Sequence, residues 1–184
     1  MSIFARLAAL GGVSYEAYRI VRQAHPHQSP LFADSPFRTG EITDLADIRA
    51  GSPELRDLAQ YAGSEAFGLG AWLDAELVGA CWYWYGDRYR SRGFLDLPAH
   101  AAKLVQVTVD TRYRGRGIAP LLIARSASAL SELGFTGLYA RIWHSNEASR
   151  AAFRKAQWTE LGLDVSVSTF LRRRPFRFRP SMPG

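Results

Sequence analysis

The segment running Val107-Thr-Val-Asp-Thr-Arg-Tyr-Arg-Gly-Arg-Gly-Ile-Ala119 takes an apolar run through two glycines and directly into a helical pattern. Gly115 and Gly117 have no side chain to obstruct an approaching anion. A helix opening at Ile118 presents unpaired backbone N–H groups and the positive end of its dipole. Arg112, Arg114 and Arg116 surround the same turn with positive charge. This arrangement suits the binding of phosphate. It is not a Walker loop, since no Lys-Ser/Thr follows the second glycine, and Arg112-x-x-Gly-x-Gly is not the G-x-G-x-x-G spacing of a dinucleotide turn.

A second stretch, Asn146-Glu-Ala-Ser149-Arg-Ala-Ala-Phe153-Arg-Lys155-Ala-Gln-Trp158, follows about 30 residues later, with a strand pattern between the two. The turn resembles motif A of the GCN5-related N-acetyltransferase (GNAT) superfamily, and the second stretch resembles its motif B. The resemblance extends from about residue 38 to residue 171. It implies a GNAT-like α/β fold, with a central, mixed, mostly antiparallel sheet flanked by helices and the acyl-CoA turn between a central strand and the next helix. It also implies acetyl-CoA as co-substrate, its pyrophosphate on the turn and its pantetheine arm along the strand before it. The implied binding set is Val107, Val109, Arg112, Arg114, Gly115, Arg116, Gly117, Ile118, Ala119, Asn146 and Phe153. Four positions depart from the family pattern. Thr111 stands where a proline is common, Gln157-Trp158 replaces Gly-Phe, and Phe153 stands where many members have a tyrosine that protonates the departing thiolate.

The resemblance implies N-acetylation of a primary amine by direct attack in a ternary complex, and the residues can be weighed against that chemistry. A phenyl ring has no proton to give, so Ser149, one helical turn before Phe153, is the candidate substitute, or solvent acts instead. Only a neutral amine attacks a thioester. His144, at the carboxyl end of a strand and close to Asn146, is the first candidate base, because imidazole ordinarily titrates near neutrality. Glu65, Asp96 and His100 are further candidates. Cys81 would permit an acyl-cysteine route, although no base neighbours it in sequence and a buried cysteine is ordinarily a small hydrophobe; the aromatic run Trp82 to Tyr85 alternates across a strand, so one pair should pack in the core and the other could line an acceptor or acyl pocket. Arg88, Arg90 and Arg92 offer contacts to an anionic acceptor. The alternatives are a non-catalytic acyl-CoA-binding module and an acyltransferase with a longer donor.

The elements that must hold these groups follow from periodicity. Residues 1–25 read as helical, with Ile3, Phe4, Leu7 and Leu10 on one face, then Tyr15, Tyr18 and Val21 at similar spacing. Pro26, Pro30 and Pro36 mark a linker, which sets 1–36 apart as an N-terminal extension to an acyltransferase domain over 37–171. A strand over 38–42 precedes helical segments from Asp44 to about Tyr61, interrupted by Pro53. Phe67–Leu73 and Leu77–Tyr85 form a hairpin around Asp74-Ala-Glu76. Residues 86–101 make a long connection, and 103–109 is the strand entering the glycine turn. A helix from Ile118 stops near Gly134. Strand 138–143, helix 147–156 capped by Asn146 or Ser145, and strand 165–171 complete the series.

Composition bounds the rest. One cysteine and four scattered histidines exclude an intramolecular disulfide and leave no metal-ligand pattern. The net charge is +6, but Arg172, Arg173, Arg174, Arg177 and Arg179 lie in an acid-free tail over 172–184, leaving 18 basic and 17 acidic residues elsewhere. A basic body suited to nucleic acid is therefore not expected. The tail and the apolar N-terminus leave contact with an anionic membrane surface open. Met1 to Leu10 is too short to span a bilayer and lacks a basic signal-peptide start, so a cytoplasmic monomer or homodimer acting on a small-molecule amine is the expectation.

Overall fold

Alternate residues of the strand Glu76–Trp84 pack into different cores, and this sets the layers of the molecule. Cys81 and Tyr83 join one buried cluster while Ala80 and Trp82 join another, as the period of two in a strand requires. The computed structural model describes residues 13–23, 32–92, 95–169 and 176–178. Its strands are β1 (Val13–Gln23), β2 (Arg38–Glu41), β3 (Ala66–Leu73), β4 (Glu76–Trp84), β5 (Ala101–Val109), β6 (Gly137–Trp143), β7 (Thr159–Thr169) and β8 (Phe176–Phe178). They form one sheet in the order β2-β3-β4-β5-β6-β1-β7-β8. Among the described residues, β5 and β6 are the parallel pair and the other neighbours are antiparallel. The architecture is thus the mixed, mostly antiparallel sheet expected.

Helices α1 (Ala46–Ala50) and α2 (Pro53–Arg56) and a 3-10 turn (Asp57–Tyr61) place Ile48, Leu55 and Leu58 against Trp72 and Trp82. The N-cap position of the first of these is Leu45, without a side-chain cap, and the Asp44 carboxylate one residue earlier accepts from the Ala46 N–H at 3.0 Å. The connection after β4 is not structureless, because α3 (Gly86–Arg90) buries Tyr89 beside Ile20 and Trp84. The other sheet face carries α4 (Ile118–Glu132) and α5 (Glu147–Lys155). Leu121, Leu122 and Leu130 of α4 and Phe153 of α5 meet Tyr83, Leu104 and Ile142 there.

Residues 13–23 form a strand, not the second half of a helix. β1 lies between β6 and β7, with Ile20 fully buried beside Trp84 while its neighbour Val21 enters the opposite core. Ser14 and Glu16 are exposed, but Ile20 and Val21 are both buried, on opposite faces, where the register against β7 shifts, so the polar alternation breaks there and the spacing of Tyr15, Tyr18 and Val21 imitates a helical period. The last long strand begins earlier than expected, at Thr159, and Phe176–Phe178 adds a further strand at the sheet's edge. The expected apolar face at Ile3 to Leu10, the segment containing Pro26 and Pro30, and the arginines at 172–174 and 179 lie outside the described residues.

Candidate active site

Strands β5 and β6 are hydrogen-bonded from Ala101–Gly137 to Leu104–Ala140, and beyond that point they part. The parting begins at a bulge. Trp82 pairs with Gln106 and Tyr83 with Leu104, so Val105 has no partner on β4 and the strand bends there. A wedge of about 210 Å³ opens between Val105–Val107 on one side and Arg141–Trp143 on the other, with Asn146, Ser149 and Phe153 of α5 along it. Past Leu104 the β6-facing edge of β5 has no ladder partner among the described residues, which leaves backbone groups for an extended ligand. Val107 lines this wedge, whereas Val109 sits beyond it, paired with Gly79.

The strand leaves the wedge through the glycine turn. The Asp110 N–H donates to the Val78 carbonyl at 2.9 Å, and the Asp110 carboxylate, only 2% exposed, accepts from the Arg112 backbone at 2.9 Å and from its guanidinium at 2.7 and 3.1 Å. Those charge-assisted bonds hold the Asp110 carboxyl down at about 2. Arg112 also donates to Glu76 at 2.5 Å, and the Tyr113 hydroxyl donates to the same carboxylate at 2.6 Å. Arg112, expected at the phosphate, has its guanidinium clamped between the Asp110 and Glu76 carboxylates, where it sets the shape of the turn.

Gly115 and Gly117 adopt φ 79° and 80°, left-handed values that favour glycine, and a Cβ on either would project into open space. Helix α4 opens at Gly117 with no side-chain cap; its first helical bond runs from the Leu121 N–H to the Gly117 carbonyl. The Ile118 and Ala119 N–H groups precede that bond, and Pro120 has none to satisfy. Ile118 itself is buried and contributes backbone only. Its side chain rests over Gly79, where a Cβ would lie 3.0 Å from Ile118 Cγ2, so the small residue on β4 fixes how closely α4 approaches the sheet. Arg114 and Arg116 have no carboxylate partner among the described residues. Arg114 Nε reaches the Val109 carbonyl at 3.4 Å, and the Arg116 guanidinium lies 5.3 Å from the Tyr113 ring centre.

The Asn146 side chain caps α5 by accepting from the Ser149 N–H at 3.0 Å. Phe153 is buried and meets Trp158 edge-on, with ring centres 5.0 Å apart, so the residue in the tyrosine position is a packing group. At the end of β6, the His144 N–H donates to the Ala17 carbonyl at 3.0 Å, and the Tyr15 hydroxyl lies 3.5 Å from His144 Nε2. Tyr18 meets Trp143 edge-on at 5.1 Å, and the Arg141 guanidinium sits 3.9 Å from the Tyr18 ring centre. This aromatic wall does not show in the sequence, because Tyr15, Tyr18 and Val21 share a helical spacing. The β-branched and aromatic content of Val13–Gln23 was the available signal. Lys103, one residue before Leu104, was also missed; burial pulls its amine down to about 8.

Other expected groups lie elsewhere. Glu65 accepts from the Arg88 N–H at 2.8 Å, and the Arg88 guanidinium donates to the carbonyls of Tyr61, Ala62 and Ser64, so both tie α3 down. Arg90 pairs with Asp87 and Arg92 lies over the Trp84 ring. His100 lines a separate cavity with Tyr85 and Phe135, and Asp96 is exposed outside the wedge. Cys81 is fully buried, its thiol pushed up to about 12, which removes the thiolate that an acyl-cysteine route needs. Trp82 to Tyr85 pack in the cores and do not line the wedge.

Residues 32–157 match the sequence profile of the acetyltransferase (GNAT) family. Among solved structures, a GCN5-related N-acetyltransferase from Sphaerobacter thermophilus is similar with a TM-score of 0.61 at 16% identity, over 90% of this chain and 56% of that one. A protein assigned to the GNAT family from Novosphingobium aromaticivorans gives 0.57 at 16% identity, over 86% and 68%. A GCN5-related N-acetyltransferase-like protein from Streptococcus suis gives 0.53 at 11%, over 90% and 67%. At these identities the likeness is one of fold. No curated protein matches the sequence.

Proposed function

The chain belongs to the acetyltransferase (GNAT) family, and we propose that it transfers an acetyl group from acetyl-CoA to a primary amine by direct attack within a ternary complex. The observation that carries this reading is the wedge between β5 and β6 ending at a turn whose two left-handed glycines face open space. In this reading the turn's N–H groups, with Arg114 and Arg116, hold the pyrophosphate, and the free edge of β5 pairs with the pantetheine arm. Ile118 and Ala119 contribute N–H groups, Asn146 the cap that orients α5, and Phe153 an apolar wall.

His144 takes the proton from the bound ammonium. With the Nε2–H donating to the Tyr15 hydroxyl 3.5 Å away, Nδ1 is the accepting atom. The neutral amine then attacks the thioester carbonyl, and N–H groups on the free edge of β5 stabilise the tetrahedral oxyanion. Collapse forms the amide and expels the thiolate. The attacking nitrogen gives up its second proton as the amide forms, and that proton, passed through water or Ser149, ends on the thiolate; a thiol's ordinary pKa of roughly 8.5 makes it a fair leaving group, so no acid is needed at Phe153.

Phe153 is also the one observation favouring a second reading, a module that binds acyl-CoA without turnover. Thiol release from acetyl-CoA, measured across amino acids, amino sugars, polyamines and peptides, separates the two. Release matched by N-acetyl product supports the enzyme, and tight donor binding without release in any class supports the binder.

A further inference from the structure

Strand alternation divides the wedge between the two faces of the sheet. Leu138, Ala140 and Ile142 of β6 enter the core under α4 and α5, so Arg141 and Trp143 project from the opposite face. Val105 of β5 packs toward that same face, with Ile20 and Trp84. Asn146, Ser149 and Phe153 border the wedge from α5. A donor taken up along α5 therefore leaves the face of Arg141 for the acceptor. That side is aromatic and positively charged. Among the described residues Arg141 is the one charged side chain in the wedge lining. Its guanidinium lies 3.9 Å from the Tyr18 ring centre, Tyr18 meets Trp143 edge-on at 5.1 Å, and the Trp143 and His144 ring centres are 5.1 Å apart. An unbroken run of ring contacts thus joins the guanidinium to the imidazole.

The neighbouring charges define what fits. Lys103 of β5, buried and paired in register with Tyr139, donates to the Leu104 carbonyl at 3.3 Å; burial, and then the charge of Arg141, pull its amine down to about 8. Arg22, on the same face, lies 5.5 Å from the Tyr139 ring centre. Asp164 supplies a carboxylate to this face opposite Tyr18, but β1 separates its strand from β6, which puts it two strand spacings, about 10 Å, across the sheet. A wholly cationic acceptor would add like charge beside Arg141 and Lys103, whereas a carboxylate there is attracted by both. We infer that the acceptor is an amino acid, its carboxylate held by the Arg141 guanidinium while its amine reaches His144 and its side chain meets Tyr18 and Trp143. The inference rests on the acetyl-transfer reading above and supplies its acceptor class. The Tyr18 ring supports the guanidinium by its face, and the in-plane fork of N–H donors is the part that matches a carboxylate.

Thiol release from acetyl-CoA by the full chain, run on each free amino acid against its amide, tests it, because the amide keeps the amine and side chain and loses the carboxylate charge. Spermidine serves as the cationic comparison. For the pair used best, wild type is expected to show kcat/KM about tenfold or more higher for the amino acid, carried in KM. Arg141→Ala should close that gap by raising the amino acid's KM, and Arg141→Lys should keep part of it. A merely structural role for Arg141 would depress amino acid and amide alike and leave the gap open, which overturns the inference. Amides or spermidine used as well as or better than every amino acid overturn it while leaving acetyl transfer standing. Release with none of these acceptors also overturns it, and acetyl-CoA titration then separates the two failures, since only absence of donor binding removes the acyl-CoA reading as well.

Discussion

Phe153 has no proton to donate and is packed edge-on against Trp158, so the proposed transfer rests on a group that accepts a proton and not on an acid at this position. His144→Ala should therefore lower kcat by roughly a hundredfold at neutral pH, within the range for a lost general base, with little change in donor affinity. The rising acidic limb of the pH–rate profile should disappear with it. Tyr15→Phe should give a smaller loss that moves that limb. An unaltered profile in both variants would remove His144 from the role. Asp110 does a different kind of work, shaping the turn through Arg112. Its depressed pKa means that its contribution to stability is present above the ordinary carboxylate range and is lost as pH falls from about 4 toward 2. Asp110→Asn should cost roughly 1–3 kcal/mol near neutrality by denaturant unfolding, and that difference should shrink below pH 4.

At the scale of elements, the parting of β5 from β6 and the pinning of α4 over Gly79 place the turn where a ligand leaving the wedge meets it. Gly117→Val puts a branched residue at φ 80°, a backbone strain of about 1–3 kcal/mol, and fills the space before the α4 N–H groups. Acetyl-CoA affinity should fall far more than melting temperature, and equal donor affinity would count against the turn as the phosphate site. Ile20→Ala should cost roughly 2–5 kcal/mol, because the side chain is fully buried in the middle of the sheet. A loss under about 1 kcal/mol by the same unfolding assay would deny β1 its central place. The turn, α4 and the Asn146 cap were legible in the sequence because each obeys local rules: glycine for positive φ, proline in a first turn, asparagine before a helix. β1 was not legible, since the adjacent buried pair Ile20 and Val21, at a register shift, interrupts the alternation that marks a strand. Arg112 was misplaced because one of its partners, Glu76, lies 36 positions away in the chain, and no local rule brings the two together.

Among the described residues the molecule is an eight-stranded sheet with helices on both faces, and β5 and β6 part to open the wedge where the proposed chemistry is placed. Among the described residues no helix is long and apolar enough to cross a membrane. Five of the chain's arginines fall in its last thirteen residues, away from the family match over 32–157, so the charge that makes the chain basic is not the charge that surrounds the turn. The central claim is that the wedge and the glycine turn together form an acyl-CoA site. Calorimetric titration of the full chain with acetyl-CoA, alongside Gly117→Val, tests it most directly. The account predicts saturable one-to-one binding by wild type that is lost or strongly weakened in the variant. No binding by wild type, or equal binding by both, would contradict it.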